Sequence, residues 1–99
     1  MEKMSMKAIR IHTSDNVAVA LAPITSGEIV QIGEISVKVS ENITIGHKFA
    51  LKTIKKGEEI VKYGYPIGKA KEEIAAGSWV HTHNTATGLS EEAEYRYEH

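Results

Sequence analysis

The feature that most constrains this chain is a short pattern that recurs four times, isoleucine-x-x-glycine-x-x-apolar. It reads Ile24-Gly27-Val30, Ile43-Gly46-Phe49, Ile54-Gly57-Ile60 and Ile74-Gly77-Val80. Gly27 and Gly57 stand 30 residues apart, and Gly46 and Gly77 stand 31 apart. The spacing predicts two similar halves, each with two copies of one unit. In each unit the isoleucine anchors a turn in the core, and the glycine permits a positive φ as the chain reverses. The next strand then enters with an apolar residue. Such units build a compact all-β body of short strands and many corners. The repeat speaks to fold and not to function.

The stretches between the units agree with that reading. Val17-Ala18-Val19-Ala20-Leu21 is an apolar run long enough for a buried strand. Glu34 to Ser40 alternates, with Ile35, Val37 and Val39 on one face, which is the period of a half-buried strand. No stretch of about twelve residues carries a helical apolar stripe. Residues 1–6 read as a flexible leader, 7–84 as the β body, and 85–99 as a tail or linker. Thr85 to Leu89 has the character of a loop. Ser90 to His99 fits either a short helix capped by Ser90 or an extended tail with Tyr95 and Tyr97 on one side.

Composition removes several function classes. The 99 residues make one domain, and 41% hydrophobic content is ordinary for a globular chain. A net charge of −1 argues against a general nucleic-acid binder. No apolar run approaches the roughly 20 residues that span a bilayer. The opening Met1-Glu2-Lys3-Met4-Ser5-Met6-Lys7 has no apolar signal core, so a cytoplasmic address is the default. The absence of cysteine excludes disulfides, thiolate metal sites and a cysteine nucleophile. Gly-x-Ser-x-Gly and glycine-rich phosphate loops are also missing. Self-association is left open.

The residues with chemical potential are mostly histidines. His81-Thr82-His83-Asn84 follows Val80. In a strand, His81 and His83 would point the same way, with Thr82 and Asn84 on the reverse. If the chain turns after Val80, Asn84 swings toward the same pocket. Two same-face imidazoles are half of a metal site, a carboxylate clamp, or an acid and a base near neutral pH. The bland alternative is a solvated strand end. His12 precedes a polar turn at Ser14-Asp15-Asn16, which Asp15 and Asn16 could close by Asx hydrogen bonds. His47-Lys48 follows Gly46 and reads either as solvent-facing polarity or as an anion-binding pair. Lys62 reads as an ordinary strand lysine, and Tyr63 as a packing residue rather than a catalytic one.

Taken together, four segments resemble a known family. They are His12-x-x-Asp15-Asn16-Val17-Ala18, Gly46-His47-Lys48-x-Ala50, Lys62-Tyr63-Gly64-x-x-Ile67-Gly68-x-Ala70, and Gly77-x-x-Val80-His81-x-His83-Asn84. They look like the N-terminal domain of altronate and galactarate dehydratases, and the small subunit of sulfolactate sulfo-lyase is similar. The resemblance spans about residues 7–98. It implies a mostly β, SAF-type β-clip domain of short strands and glycine turns, with one or two short helical turns. It implies a lyase that removes water from a sugar acid, giving a 2-keto-3-deoxy acid, together with a larger dehydratase-type subunit. His12, His47, His81 and His83 are then the catalytic candidates. Asp15, Asn16, Lys48 and Asn84 are the substrate-binding candidates. His81 and His83 are the metal candidates, with iron (Fe2+) or manganese (Mn2+) as the family-like ion. This reading expects the four internal histidines to converge in one cleft. The alternatives are a sulfolactate-type carbon–sulfur lyase subunit, a non-catalytic carbohydrate-binding SAF module, and an assembly chaperone of the exported kind.

Overall fold

The computed structural model describes residues 7–86. Its nine strands are β1 (Ala8–Ile9), β2 (Val17–Ala20), β3 (Ile29–Ile32), β4 (Ile35–Lys38), β5 (Lys48–Ala50), β6 (Glu59–Lys62), β7 (Tyr65–Ala70), β8 (Trp79–Val80) and β9 (Thr85–Ala86). The central sheet is antiparallel in the order β1-β2-β5-β8. A β3-β4 hairpin and a three-stranded β6-β7-β9 sheet complete the body. The class is mostly β, as expected. The one or two helical turns have no counterpart among the described residues, because the corners are tight glycine turns instead.

The four repeat units are one geometric object. Ile24 and Ile43 exchange two backbone hydrogen bonds, of 3.0 and 2.9 Å, and Ile54 and Ile74 exchange two of 2.8 Å. All four isoleucine side chains are buried. In each unit a tight turn follows, closed by a bond from residue i+3 back to i, as from Glu28 to Thr25 and from Ser78 to Ala75. The glycine at the third position has φ between 87 and 93° in all four, the signature of a type II turn. The halves equivalent in sequence are therefore each closed by their own isoleucine pair.

The central sheet sits between two apolar clusters. Ala18, Ala20, Phe49 and Leu51 face the first, with Ile24, Ile43, Val30, Val37 and Val39. Val17, Ala50 and Val80 face the second, with Ile54, Ile60 and Ile74. Successive residues of a strand point to opposite faces, so a strand with both faces covered must be apolar at every position. That is why Val17 to Ala20 is a continuous run. Leu21, included in the run by sequence, lies past the strand end and is exposed. β4 follows its alternation: Val37 and Val39 are buried while Ser36 and Lys38 are exposed. Thr85 and Ala86, read as loop, instead pair with Ala70 and Lys69 of β7. The body thus extends at least to Ala86. The helix-or-tail question at Ser90–His99 lies outside the described residues, as does the leader at 1–6.

Candidate functional site

The site begins with the turn after β8. The segment 81–84 is not a strand. The Asn84 amide donates to the His81 carbonyl at 3.1 Å, closing a turn directly after Val80. Asn84 itself is buried. Its Oδ1 accepts the His81 amide at 3.0 Å, and its Nδ2 donates to the Trp79 carbonyl at 2.8 Å. The strand alternation expected for His81 and His83 therefore gives way to the alternative, a turn that folds Asn84 inward. The reason is local: an Asn side chain satisfies amides at a turn better than a two-residue strand could.

This turn lays His81 and His83 against Trp79. The His81 ring is stacked on the indole at 5.0 Å with a 9° interplanar angle, and the His83 ring is tilted at 5.1 Å. β5 brings the third imidazole, because Lys48 pairs with Val80 and Phe49 with Trp79. His47, one residue before β5, lies 5.5 Å from the indole and 5.7 Å from His81. Its Nδ1 accepts the Trp79 Nε1–H at 3.0 Å. Burial, then the charges of Lys48, His47 and His83, push the His81 pKa below the ordinary histidine value. His81 is thereby biased toward the neutral form, able to accept a proton. Trp79 was not singled out by sequence reasoning. The available signal was that the chain's single tryptophan stands two residues before His81.

His12 is elsewhere. Ala8 pairs with Ala20, and the Ala20 amide donates to the His47 carbonyl, so the cluster lies at that end of the central sheet. His12 lies past the far end of β1, in the turn that leads into β2 at Val17. Its ring packs on Gly64 in the β6-β7 hairpin. The expected convergence of four histidines in one cleft is thus corrected: three gather about Trp79, and His12 lies apart. The antiparallel β1-β2 pairing carries His12 to the opposite end.

Asp15 and Asn16 remain with His12. The buried Asp15 carboxylate accepts the amides of Gly64 at 2.7 Å and His12 at 3.0 Å. Asn16 accepts the Val61 amide at 2.8 Å and donates to the Glu59 carbonyl at 2.9 Å. Burial tends to raise the Asp15 pKa. The backbone amides of Gly64, His12 and Tyr63, with the charge of His12, outweigh that and leave it lowered. Three of the four polar candidates, Asp15, Asn16 and Asn84, thus spend hydrogen bonds on the chain's own backbone. Lys48 stands within electrostatic reach of His81. A groove of about 330 Å³ opens beside the His12 turn, between Arg10, Ser14 and Lys52, and none of the histidines lines it.

The donor set does not by itself fit a divalent metal. Among the described residues no group of three or more His, Asp or Glu side chains gathers at metal-binding spacing. His81 and His83 alone would leave an ion short of ligands. Nor is any helix among the described residues long and apolar enough to cross a membrane.

The chain as a whole is similar to known proteins. The altronate dehydratases of Escherichia coli K12 and Bacillus subtilis 168 are 50% and 46% identical over 93 and 89 residues, covering 94% and 90% of this chain. The chain spans only 19% and 18% of their lengths. The (2R)-sulfolactate sulfo-lyase subunit alpha of Paracoccus pantotrophus is 48% identical over 46 residues, 46% of this chain and 69% of that subunit. Residues 6–88 match the altronate/galactarate dehydratase SAF domain, and the chain belongs to that family.

Proposed function

We propose that this chain is the small SAF component of a sugar-acid hydro-lyase, working with a larger dehydratase-type partner on altronate or a related acid. The observation that supports it is the gathering of His47, His81 and His83 about Trp79, in a chain of this family. Leu21 and Ile45 are exposed beside Ala20 and His47, an apolar rim suited to cover by a partner.

The chemistry is a β-elimination. A base removes the proton beside the carboxylate, those electrons form the carbon–carbon double bond, and the β-hydroxyl leaves as water once protonated. The resulting enol becomes a 2-keto-3-deoxy acid. His81, biased neutral, is the base in this scheme, and His83 protonates the leaving hydroxyl. Lys48 attracts the carboxylate. A divalent ion, where the complete enzyme uses one, would need ligands beyond His81 and His83.

The test combines this chain with the large catalytic part of an altronate dehydratase and follows formation of the keto acid. His81→Ala should lower turnover by roughly 10²–10⁴-fold. Less than a tenfold effect, in a variant that keeps its fold and still binds the partner, rejects the reading. The second reading is a sulfolactate-type lyase subunit. The Paracoccus alpha subunit supports it, since this chain matches 69% of that small protein. Release of sulfite from sulfolactate, with no turnover of altronate, selects it.

A further inference from the structure

We propose that Trp79 is a positioning residue that fixes His47 in a single tautomer, so that His47 presents an Nε2–H donor to the ligand. An indole N–H is a donor and has no lone pair to offer. The ring nitrogen that faces it at 3.0 Å, Nδ1 of His47, must carry the lone pair. In the neutral imidazole the one remaining proton then sits on Nε2.

The indole is held so firmly that it dictates the arrangement. The Trp79 backbone amide donates to the Glu41 carboxylate at 2.9 Å, and its carbonyl accepts from Asn84. Its ring packs against the first apolar cluster and stacks on His81. His47 is fixed as well: its amide closes the turn to Thr44 and its carbonyl accepts from Ala20. Both residues are thus held by backbone bonds as well as by the contact between their rings.

The tautomer divides the labour of the cluster. A neutral His47 with its proton on Nε2 donates to an oxygen and cannot take a proton there. It suits a carboxylate or hydroxyl oxygen of a small acid, and it stabilises negative charge that develops on that oxygen. Accepting the substrate proton falls to His81. This division rests on the proposed lyase reading for its catalytic meaning, whereas the tautomer itself is a property of this chain alone.

The experiment uses the full chain labelled with ¹⁵N, at a pH where the imidazoles are neutral. Long-range proton–nitrogen correlation spectra assign each histidine tautomer. Wild type should show His47 wholly as the Nε2–H form, with a scalar coupling across the hydrogen bond from the Trp79 indole nitrogen to His47 Nδ1. Trp79→Phe keeps an aromatic ring, and should abolish that coupling and give His47 a mixture of tautomers. In the other direction, His47→Ala should speed exchange of the Trp79 indole proton by up to roughly tenfold. An Nδ1–H form of His47 in wild type, or an absent coupling, overturns the proposal. An inactive reconstituted enzyme with the coupling present instead removes the lyase reading and leaves this one standing.

Discussion

At Asp15 one carboxylate holds two turns together. It accepts the amide of His12 in its own turn and that of Gly64 in the β6-β7 hairpin. That hairpin turn needs positive φ at both central positions, 58° at Tyr63 and 80° at Gly64. A non-glycine residue in this region is strained, and the carboxylate compensates by binding the Gly64 amide beside it. Asp15→Asn places an NH₂ or a weaker acceptor against those donors. It should cost about 2 kcal/mol in urea unfolding, as expected for bonds to a charged group. The sign with pH follows from the lowered pKa. Asp15 stabilises the fold above the ordinary aspartate value, and that stabilisation is lost as pH falls through the folded value, below about 4. Acid unfolding of Asp15→Asn should show a flatter slope in that window. His81 acts in a different window. Its pKa is lowered chiefly by burial, then by Lys48, His47 and His83, so the unfolded chain takes up the proton first. Stability therefore falls as pH drops below about 6.5. His81→Gln should remove that part of the fall in thermal midpoint between pH 8 and pH 5.

The turn unit is the element that the fold repeats, and its glycines are not equivalent. All four need a positive φ, which costs another residue about 1–2 kcal/mol. A Cβ at Gly27 meets nothing within 4 Å. A Cβ at Gly77 would overlap the Lys38 carbonyl oxygen and press on the Val39 Cα at 3.0 Å. There the two halves touch, with the Ser40 amide donating to the Gly77 carbonyl. Gly27→Ala should thus lose only the conformational cost, while Gly77→Ala should lose several kcal/mol more or fail to fold. Circular dichroism melts of the two variants compare them directly. The repeat was legible in the sequence because an isoleucine anchor and a positive-φ glycine at fixed spacing are local demands. The pairing of Ile24 with Ile43 and of Ile54 with Ile74 was not, since it depends on which turns meet in space. The site divides the same way. His81, His83 and Asn84 were visible as a motif. Trp79 was not singled out, and its bond to His47 spans 32 residues that the sequence does not relate. The grouping of His12 with the others failed because similarity gathers residues by motif, whereas strand direction decides which end of a sheet they reach.

Across the whole molecule the two sequence halves do not make two independent units. β2 belongs to the first half by sequence, yet Val17 faces the second cluster while Ala18 and Ala20 face the first. β5 divides its residues likewise, with Phe49 on one side and Ala50 on the other. A sheet shared in this way cannot keep one face packed while the other unfolds, because its strands would lose half their burial. The two cores should therefore melt as one. Ile24 lies in the first and Ile54 in the second, and truncating either to alanine should cost about 2–5 kcal/mol. Both variants should shift a single transition. Trp79, the chain's one tryptophan, reports it by fluorescence from beside the first cluster, and far-ultraviolet circular dichroism reports the whole body. Coincident midpoints in both variants support one cooperative body. A separate, earlier loss of dichroism in Ile54→Ala, with the Trp79 signal intact, would show two. The outcome bears on function, since His47 enters the site just before β5 and His81 just after β8, two of the strands that both cores use. A cooperative body holds those imidazoles at fixed distance, which a preformed arrangement of side chains requires.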